Sequence, residues 1–518
     1  MLYLADLENP APTTWTDEQQ AIFDWFETGQ NDLFVRARAG TAKTTTLLEG
    51  VVRSDPEWAL VAAFNRHIAD ELRERLQHPR VIPRTLHQIG FGFIRAHAKG
   101  KVEVDKRRGY RLARMAWQTL VQEHGMIKST PEIVKLVKEV ASKTKAMRFW
   151  ADKPQDPMVI MQRFDLGPTS KLIQQGVSEG HIALAALRAM KLAQDLSVEK
   201  AQCIDFDDMI YLPLAHNWIY QPYSLVCIDE AQDLSPAQVE LAVRVCRDDG
   251  RVAVFLDDRQ CLYGFMGADI ENVERVKEDL NDATELSLTT SFRCPRSVVI
   301  EAQKIVPDIR PHDDAPPGVV GEFHVRDLGK YIKPGDVVLS RRNAFLLNVC
   351  LQLIIEGKKA TIVGRDFEVA LRGMFKDFWE KCETEKPSEF LDKVDAWEKR
   401  EIKNLKADED AFELDQEAAI RDKAEVMRVL CRDQETIADA YVRLESVFKP
   451  TQMAVLCSTV HRYKGRECDR VFVLTESFLD RFYEAKQRPV PLEERNIRYV
   501  AITRAKRELY WVDSDWEM

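Results

Sequence analysis

Short unbroken apolar runs alternate along the chain with longer stretches whose apolar residues recur at helical spacing. One set of runs comprises Leu33-Phe34-Val35, Ala59 to Ala63, Leu225 to Ile228 and Val252 to Leu256. A second comprises Val337-Val338-Leu339, Ala360 to Val363, Ala454 to Cys457 and Val471 to Leu474. Strand-like runs separated by helical ones predict parallel sheets covered by helices, here twice over. Each set is interrupted by a long charged helical segment, so the chain reads as α/β, two parallel-sheet domains each carrying a mainly helical inserted subdomain. The expected boundaries are 1–95 with 201–283 for the first domain and 96–200 for its insertion, then 284–366 with 451–518 for the second domain and 367–450 for its shorter insertion. In the latter, Trp397 to Lys403 and the mixed charges beyond predict solvated helices laced by i,i+4 pairs.

Composition narrows the class. A chain of 518 residues is too long for one core, and 45% hydrophobic with 31% charged residues describes an ordinary globular protein. No run of about eighteen apolar residues occurs, and Met1 to Asp6 lacks the flanks of a leader, so no membrane association and a cytoplasmic location, or nuclear in a eukaryote, are expected. The ten cysteines form no CxxC pair, and free thiols are expected rather than zinc or disulfides. A net charge of −10 argues against nonspecific coating of nucleic acid, but leaves room for a local basic groove.

Two strings carry chemistry. After the strand at Leu33, Arg36-Ala37-Arg38-Ala39-Gly40-Thr41-Ala42-Lys43-Thr44 leads into a helical run from Thr45 to Val52. A strand, a loop and a helix N-terminus in that order cradle phosphate, with Lys43 for the β- and γ-phosphates and the Thr44 hydroxyl for Mg²⁺. Ala37 and Ala42 stand where glycines are usual; if Ala42 needs positive φ the cost is about 1 kcal/mol or somewhat more. The second string, Asp229-Glu230-Ala231-Gln232, ends an apolar strand. Asp229 is placed to hold Mg²⁺, Glu230 to orient a water, and Gln232 to sense phosphate.

From Trp15 to Leu509 further strings fall in an order that resembles the UvrD/Rep family of superfamily 1 DNA helicases. Thr16-Asp17-Glu18-Gln19-Gln20 is similar to the family's adenine-reading segment, with Gln19 as reader. Phe64-Asn65-Arg66 and Thr85-Leu86-His87-Gln88 resemble segments touching single-stranded DNA. Phe206-Asp207-Asp208-Met209 recurs in the family with a DNA-track or a packing role. Asp257 to Ala268 resembles the string whose glutamine, Gln260, links γ-phosphate to DNA and whose aromatics, Tyr263 and Phe265, stack on bases. Ser291-Phe292-Arg293 resembles the segment in which an aromatic packs on adenine and an arginine reaches the γ-phosphate. Arg504, in Glu493 to Ala505, stands as the second such arginine. Ser458 to Glu467 resembles the element that contacts DNA through Thr459 and His461 and nucleotide through Glu467.

The resemblance implies two RecA-like P-loop NTPase domains, ATP and Mg²⁺ as cofactors, and closure of the domains on ATP as the driving stroke. It implies ATP-dependent movement on single-stranded DNA, 3′→5′, with unwinding at single/double-strand junctions in replication, repair or recombination. The nucleotide would meet Ala39, Gly40, Thr41, Ala42, Lys43, Thr44 and Thr45, with Phe292, Arg293, Glu467 and Arg504 from the second domain. Replication or repair proteins are the expected protein partners, with the chain monomeric or weakly self-associating. Lys99, Lys101, Lys106, Arg107, Arg108 and Arg111, around Tyr110, either hold the duplex or the incoming strand or form a solvated hairpin. Two other readings stay open: a translocase that strips proteins from single strands, and a DNA-binding module without turnover. The compact length is similar to phage helicases and to the motor part of F-box helicases.

Overall fold

The structure is a computed structural model, and it describes residues 15–63, 66–76, 78–98, 100–148, 156–195, 202–262, 270–406, 414–449, 453–480, 483 and 487–514. Two compact units result: the described residues of 1–38 with 42–289, and of 39–41 with 290–518.

The first unit holds a six-stranded parallel sheet of β1 (Leu33–Ala37), β2 (Ala59–Ala63), β3 (Val81–Thr85), β4 (Tyr223–Ile228), β5 (Cys246–Leu256) and β6 (Thr284–Leu288), in the order β3-β2-β4-β5-β1-β6. The two-residue period of a strand explains why the runs are apolar throughout. Leu33, Val35, Val61, Leu225 and Cys227 face one core with Ile22, Phe26, Leu47 and Val51, from helices α1 (Asp17–Thr28) and α2 (Lys43–Arg53). Phe34, Leu60, Val226 and Ile228 face the other core, which includes Ile89 and Phe93 of α3 (Leu86–His97). The expected boundary at 283/284 is corrected by β6, which pairs with β1 from Leu33↔Thr284 to Ala37↔Leu288 and so completes the first sheet. Its exposed alternate residues hide it from a search for unbroken apolar runs.

The insertion is built on α4 (Arg108–His124), α5 (Pro131–Ala146) and α6 (Glu179–Gln194) around Trp117, Val137, Ala186 and Met190. A parallel ribbon, Val102–Val104 with Gln202–Ile204, joins its two ends. The chain then returns through α7 (Phe206–Ala215) and later α8 (Pro236–Arg244) to the face beside α3. Arg108 is not part of an exposed basic hairpin: it is 1% exposed and its guanidinium donates to Asp208 and to the Ala193 carbonyl at 3.3 Å. Lys145 donates to the other oxygen of Asp208 at 2.7 Å. Burial opposes the charge on Asp208, but Lys145 and Arg108 outweigh it and hold the carboxyl below its usual range; the adjacent Asp205, raised chiefly by burial, is pushed up to about 6. Arg111 is spent on Asp105, Lys101 lies beside Glu103 at 3.4 Å, and Lys99 lies outside the described residues.

The second unit has its own six-stranded parallel sheet: β7 (Val319–His324), β8 (Val337–Ser340), β9 (Ala360–Ile362), β10 (Val455–Thr459), β11 (Cys468–Leu474) and β12 (Ala505–Asp513), in the order β7-β12-β11-β8-β10-β9. Helix α9 (Asn343–Ile355) lies against it, and α10 (Leu414–Cys431) belongs to the insertion. That insertion carries i,i+4 pairs such as Arg372–Glu368 and Arg421–Glu417, yet Phe375, Phe378, Phe390, Met427 and Leu430 are buried in one core with α9. The helices expected to be solvated are thus packed on one face. Asp422 of α10 accepts the Asn343 and Ala344 N–H groups, both at 2.9 Å, and so caps α9 from 78 or more residues away. Helix α11 (Leu492–Ile502) precedes β12. None of the ten cysteines is in a disulfide, and most are buried. Among the described residues no helix is long and apolar enough to cross a membrane.

Candidate functional site

In the first unit α2 begins at Lys43, immediately after Ala42, whose φ of 56° and ψ of 33° are left-handed. Ala42, at the N-cap, has no side chain that could cap the first turn of α2, where N–H groups suit an outside acceptor. Thr44 donates its hydroxyl to Asp229 Oδ2 at 2.6 Å, and Lys43 Nζ lies 2.6 Å from Glu230 and 3.8 Å from Asp229. The two strings, about 185 positions apart in sequence, therefore meet in one cluster at the tips of β1 and β4. Burial opposes the Lys43 charge, but Glu230 and Asp229 outweigh it and hold the ammonium protonated; burial raises Asp229 against the pull of Lys43. Glu230 itself sits at φ 52°, left-handed backbone that side chains seldom adopt.

From Glu230 a chain of polar contacts runs across the strand tips. The Gln232 amide donates to Glu230, its oxygen accepts the Asp257 N–H at 3.0 Å, and Gln260 donates to Asp257 Oδ2 at 2.7 Å. Arg38 closes the far side through Asp258 at 2.6 Å. Asp257, fully buried, is pushed up to about 6 by desolvation, with Arg38 and Lys43 opposing. Asp257 and Arg38 lie inside the strings quoted above, but nothing in those strings singles out either of them as a site residue. Gln19 is fully buried, accepts from the Thr16 N–H at 3.1 Å and donates to Thr46 at 2.9 Å, so here it caps α1 and ties it to α2. Thr45 meets Arg75 at 3.4 Å.

In the second unit, residues 39–41 are held by Ser291, which donates to the Ala39 carbonyl at 2.9 Å, and by the Phe292 N–H, which donates to Gly40 at 2.8 Å. The Ala39 N–H donates to the Tyr499 hydroxyl at 2.9 Å, and Thr41 is buried. Gly40 has φ 73°, and a Cβ there would stand 2.5 Å from Arg293 Cβ, so the one retained glycine is demanded by conformation and by space. Arg293 pairs with Glu467 at 2.6 Å, while Phe292 lies against His312 with centroids 4.7 Å apart. Arg504 is 1% exposed and donates to the Val500 and Arg466 carbonyls at 2.9 and 3.2 Å. Arg293, Glu467 and Arg504 thus gather near Thr503, whose carbonyl accepts from Arg293 at 3.4 Å.

Of the expected DNA contacts, Phe64, Asn65, Tyr263 and Phe265 lie outside the described residues. Thr85 caps α3 by accepting the Gln88 N–H at 3.2 Å, which sets His87 in the first turn, edge-on to Phe206 at 6.1 Å. Asp208 of the neighbouring string is a packing residue, as described above. Thr459 precedes a single helical turn that carries His461. Burial, with Arg341, Lys464 and Arg462 adding repulsion, pushes His461 down to about 3, so its imidazole is neutral and ringed by cations.

Comparison with known proteins agrees with this geometry. The profile of the UvrD/REP helicase N-terminal domain matches residues 15–281, and that of the UvrD-like helicase C-terminal domain matches 350–514. DNA helicase IV of Escherichia coli K12 is 26% identical over 302 residues, 51% of this chain and 43% of the relative. F-box DNA helicase protein 1 of Schizosaccharomyces pombe is 24% identical over 552 aligned residues, covering 98% of this chain and 58% of the relative. DNA helicase II of E. coli K12 is 22% identical over 299 residues, 54% of this chain and 38% of the relative. The matches span between 38% and 58% of the length of these relatives. With a buried lysine, hydroxyl and carboxylate cluster at the strand tips of a parallel sheet and both domain profiles matched in order, the chain belongs to the UvrD/REP helicase family.

Proposed function

We propose that the protein is an ATP-dependent motor that moves 3′→5′ on single-stranded DNA and opens duplex at the junction. The observation that carries the ATP-dependent part of this reading is the cluster of Lys43, Thr44, Asp229 and Glu230 at the start of α2, and the polarity rests on the family resemblance alone. Those residues fit a nucleoside triphosphate with Mg²⁺: a hydroxyl and one carboxylate are the usual protein share for an ion held mainly by water and phosphate. Bound Mg²⁺ supplies neutralisation of the charge developing on the phosphate oxygens. Glu230 and Asp229 hold Lys43 protonated before nucleotide binds, and phosphate oxygens take over from Glu230 when nucleotide is bound. Glu230, freed from Lys43, orients the attacking water. Gln232, Asp257 and Gln260 carry any shift of Glu230 along the strand tips. Arg293 and Arg504 are assigned to the transition-state charge, Gln19 and Phe292 to the base, and Glu467 to holding Arg293 and the nucleotide.

The single strand is assigned to Phe64, Asn65, Thr85, His87, Tyr263, Phe265, Thr459 and His461. Neutral His461 donates one hydrogen bond while Arg341, Arg462 and Lys464 supply the positive field for a phosphate. The domains bounded by 1–95 with 201–289 and 290–366 with 451–518 act as the two motor halves, and the insertions meet the DNA. The test is phosphate release with and without single-stranded DNA, followed by strand displacement on duplexes with a 3′ or a 5′ tail. DNA-stimulated release and opening of the 3′-tailed duplex alone are expected; absence of stimulated release rejects the motor.

A further inference from the structure

A cavity in the first unit, apart from the phosphate cluster, has a volume of about 510 Å³, within the range of sites that hold small ligands. Helix α5 forms one wall and α7 with the start of α8 forms the other, and His87 and Tyr110 complete the lining. Along α5, Lys135, Lys138, Ser142 and Lys145 follow at steps of three and four residues, so they share a face, and all four line the cavity. Two of them are committed: Lys145 to Asp208 at 2.7 Å, and Ser142 to Asp207. Lys135 and Lys138 have no carboxylate within ion-pair distance among the described residues. Lys143 on the same helix also lines the cavity, its pKa lowered by burial with Glu139 opposing and Lys138 adding repulsion, and Glu139, Asp207 and Asp233 complete a lining of mixed charge in which Lys135 and Lys138 are the ammonium groups left for a phosphate.

Aromatic rings alternate with the ammonium groups. Lys138 Nζ is 5.9 Å from the Tyr110 ring centroid, and Tyr110 is 45% exposed. Beyond the cavity, His87 meets Phe206, which is 46% exposed, and Lys106 Nζ is 5.9 Å from the Phe206 centroid. Rings for bases and ammonium groups for phosphates, interleaved and without a fixed hydrogen-bond pattern, suit a single strand of any sequence. The series continues past the cavity to Phe206 and Lys106, which a mononucleotide filling the cavity would not also reach.

We propose that this cavity takes one nucleotide of the single strand, its phosphodiester against Lys135 and Lys138 and its base against Tyr110. The proposal rests on the reading of the chain as a protein that binds single-stranded DNA. It assigns the insertion a part in gripping the strand, adding Lys135 and Lys138 of α5 to the basic stretch around Tyr110.

The test uses the full chain, fluorescence anisotropy with labelled oligo-dT over a range of salt, and the variants Lys135→Gln/Lys138→Gln, Tyr110→Ala and Tyr110→Phe. Failure of the unaltered chain to bind oligo-dT would reject the functional reading itself. Given that binding, the double lysine variant should flatten the slope of log K against log salt by roughly 0.7 to 1.4, at about 0.7 for each phosphate no longer neutralised. Tyr110→Ala should weaken binding by roughly 5- to 150-fold, as expected when a stacking partner is removed, and Tyr110→Phe should bind like the unaltered chain. An oligonucleotide carrying 5-iodouracil should cross-link to Tyr110 on irradiation. Unchanged slope and affinity in folded variants would overturn the proposal. So would binding of dTMP alone that both variants abolish while oligo-dT binding persists, since the occupant would then be a free nucleotide.

Discussion

Lys43 is buried between two carboxylates, and its removal deletes the ammonium group at the start of α2 that the proposal assigns to phosphate. Lys43→Ala should abolish phosphate release while single-strand binding, read by anisotropy, stays within about twofold of the unaltered chain. Ala42 tests the loop differently. It holds left-handed backbone at φ 56°, so Ala42→Gly should raise stability by about 1 kcal/mol or less, measured as a shift in the urea midpoint. Asp257 makes the pH prediction. Its folded pKa of about 6 lies above the ordinary carboxylate value, so the folded state binds the proton more tightly and loses stability as pH rises from about 4 to about 6. Asp257→Asn lacks that titration. The stability of the variant relative to the unaltered protein should therefore climb across the same window, by at most about 3 kcal/mol, and stay level below pH 4. The loop and the acidic string are legible in the sequence because phosphate chemistry demands those residue types in that order. Asp257 is not, because its burial and its partner Gln232 emerge only when two strand tips are side by side.

At the scale of elements, the first insertion is pinned by a charge cluster that joins three helices. Asp208 of α7 holds Arg108 of α4 and Lys145 of α5, and all three are nearly fully buried. Asp208→Ala would leave two buried cations without their counter-charge, and a loss of roughly 3–5 kcal/mol is expected in urea unfolding. Hydrogen exchange should show the insertion opening first. A basic stretch on a helix reads from sequence as a solvated face, and nothing in the vicinity of Arg108 says otherwise. Its partner lies 100 residues away. The short strand Thr284–Leu288 escapes a sequence reading for a related reason: at a sheet edge only alternate side chains are buried, so the apolar run is broken.

Over the whole molecule, chemistry is divided between two units, each with its own parallel sheet. If the arginines of the second unit serve the phosphate cluster of the first, Arg293→Ala should lower DNA-stimulated turnover by roughly 10³-fold or more, with Lys43, Thr44, Asp229 and Glu230 all intact. Nucleotide binding, followed by a fluorescent ATP analogue, should weaken far less. Turnover that survives this substitution would confine hydrolysis to the first unit and remove the mechanical link proposed above.

The order of strands, loops and chemical strings is written in the chain because each is a local demand: a two-faced buried strand must be apolar, and a phosphate loop must offer N–H groups, a lysine and a hydroxyl. The family follows from that order. Pairing partners, buried charge and cavity walls are different in kind, since they depend on which distant residues share one small volume. Folding alone brought Asp208 to Arg108, Gln232 to Asp257, and the lysine face of α5 opposite α7 and α8.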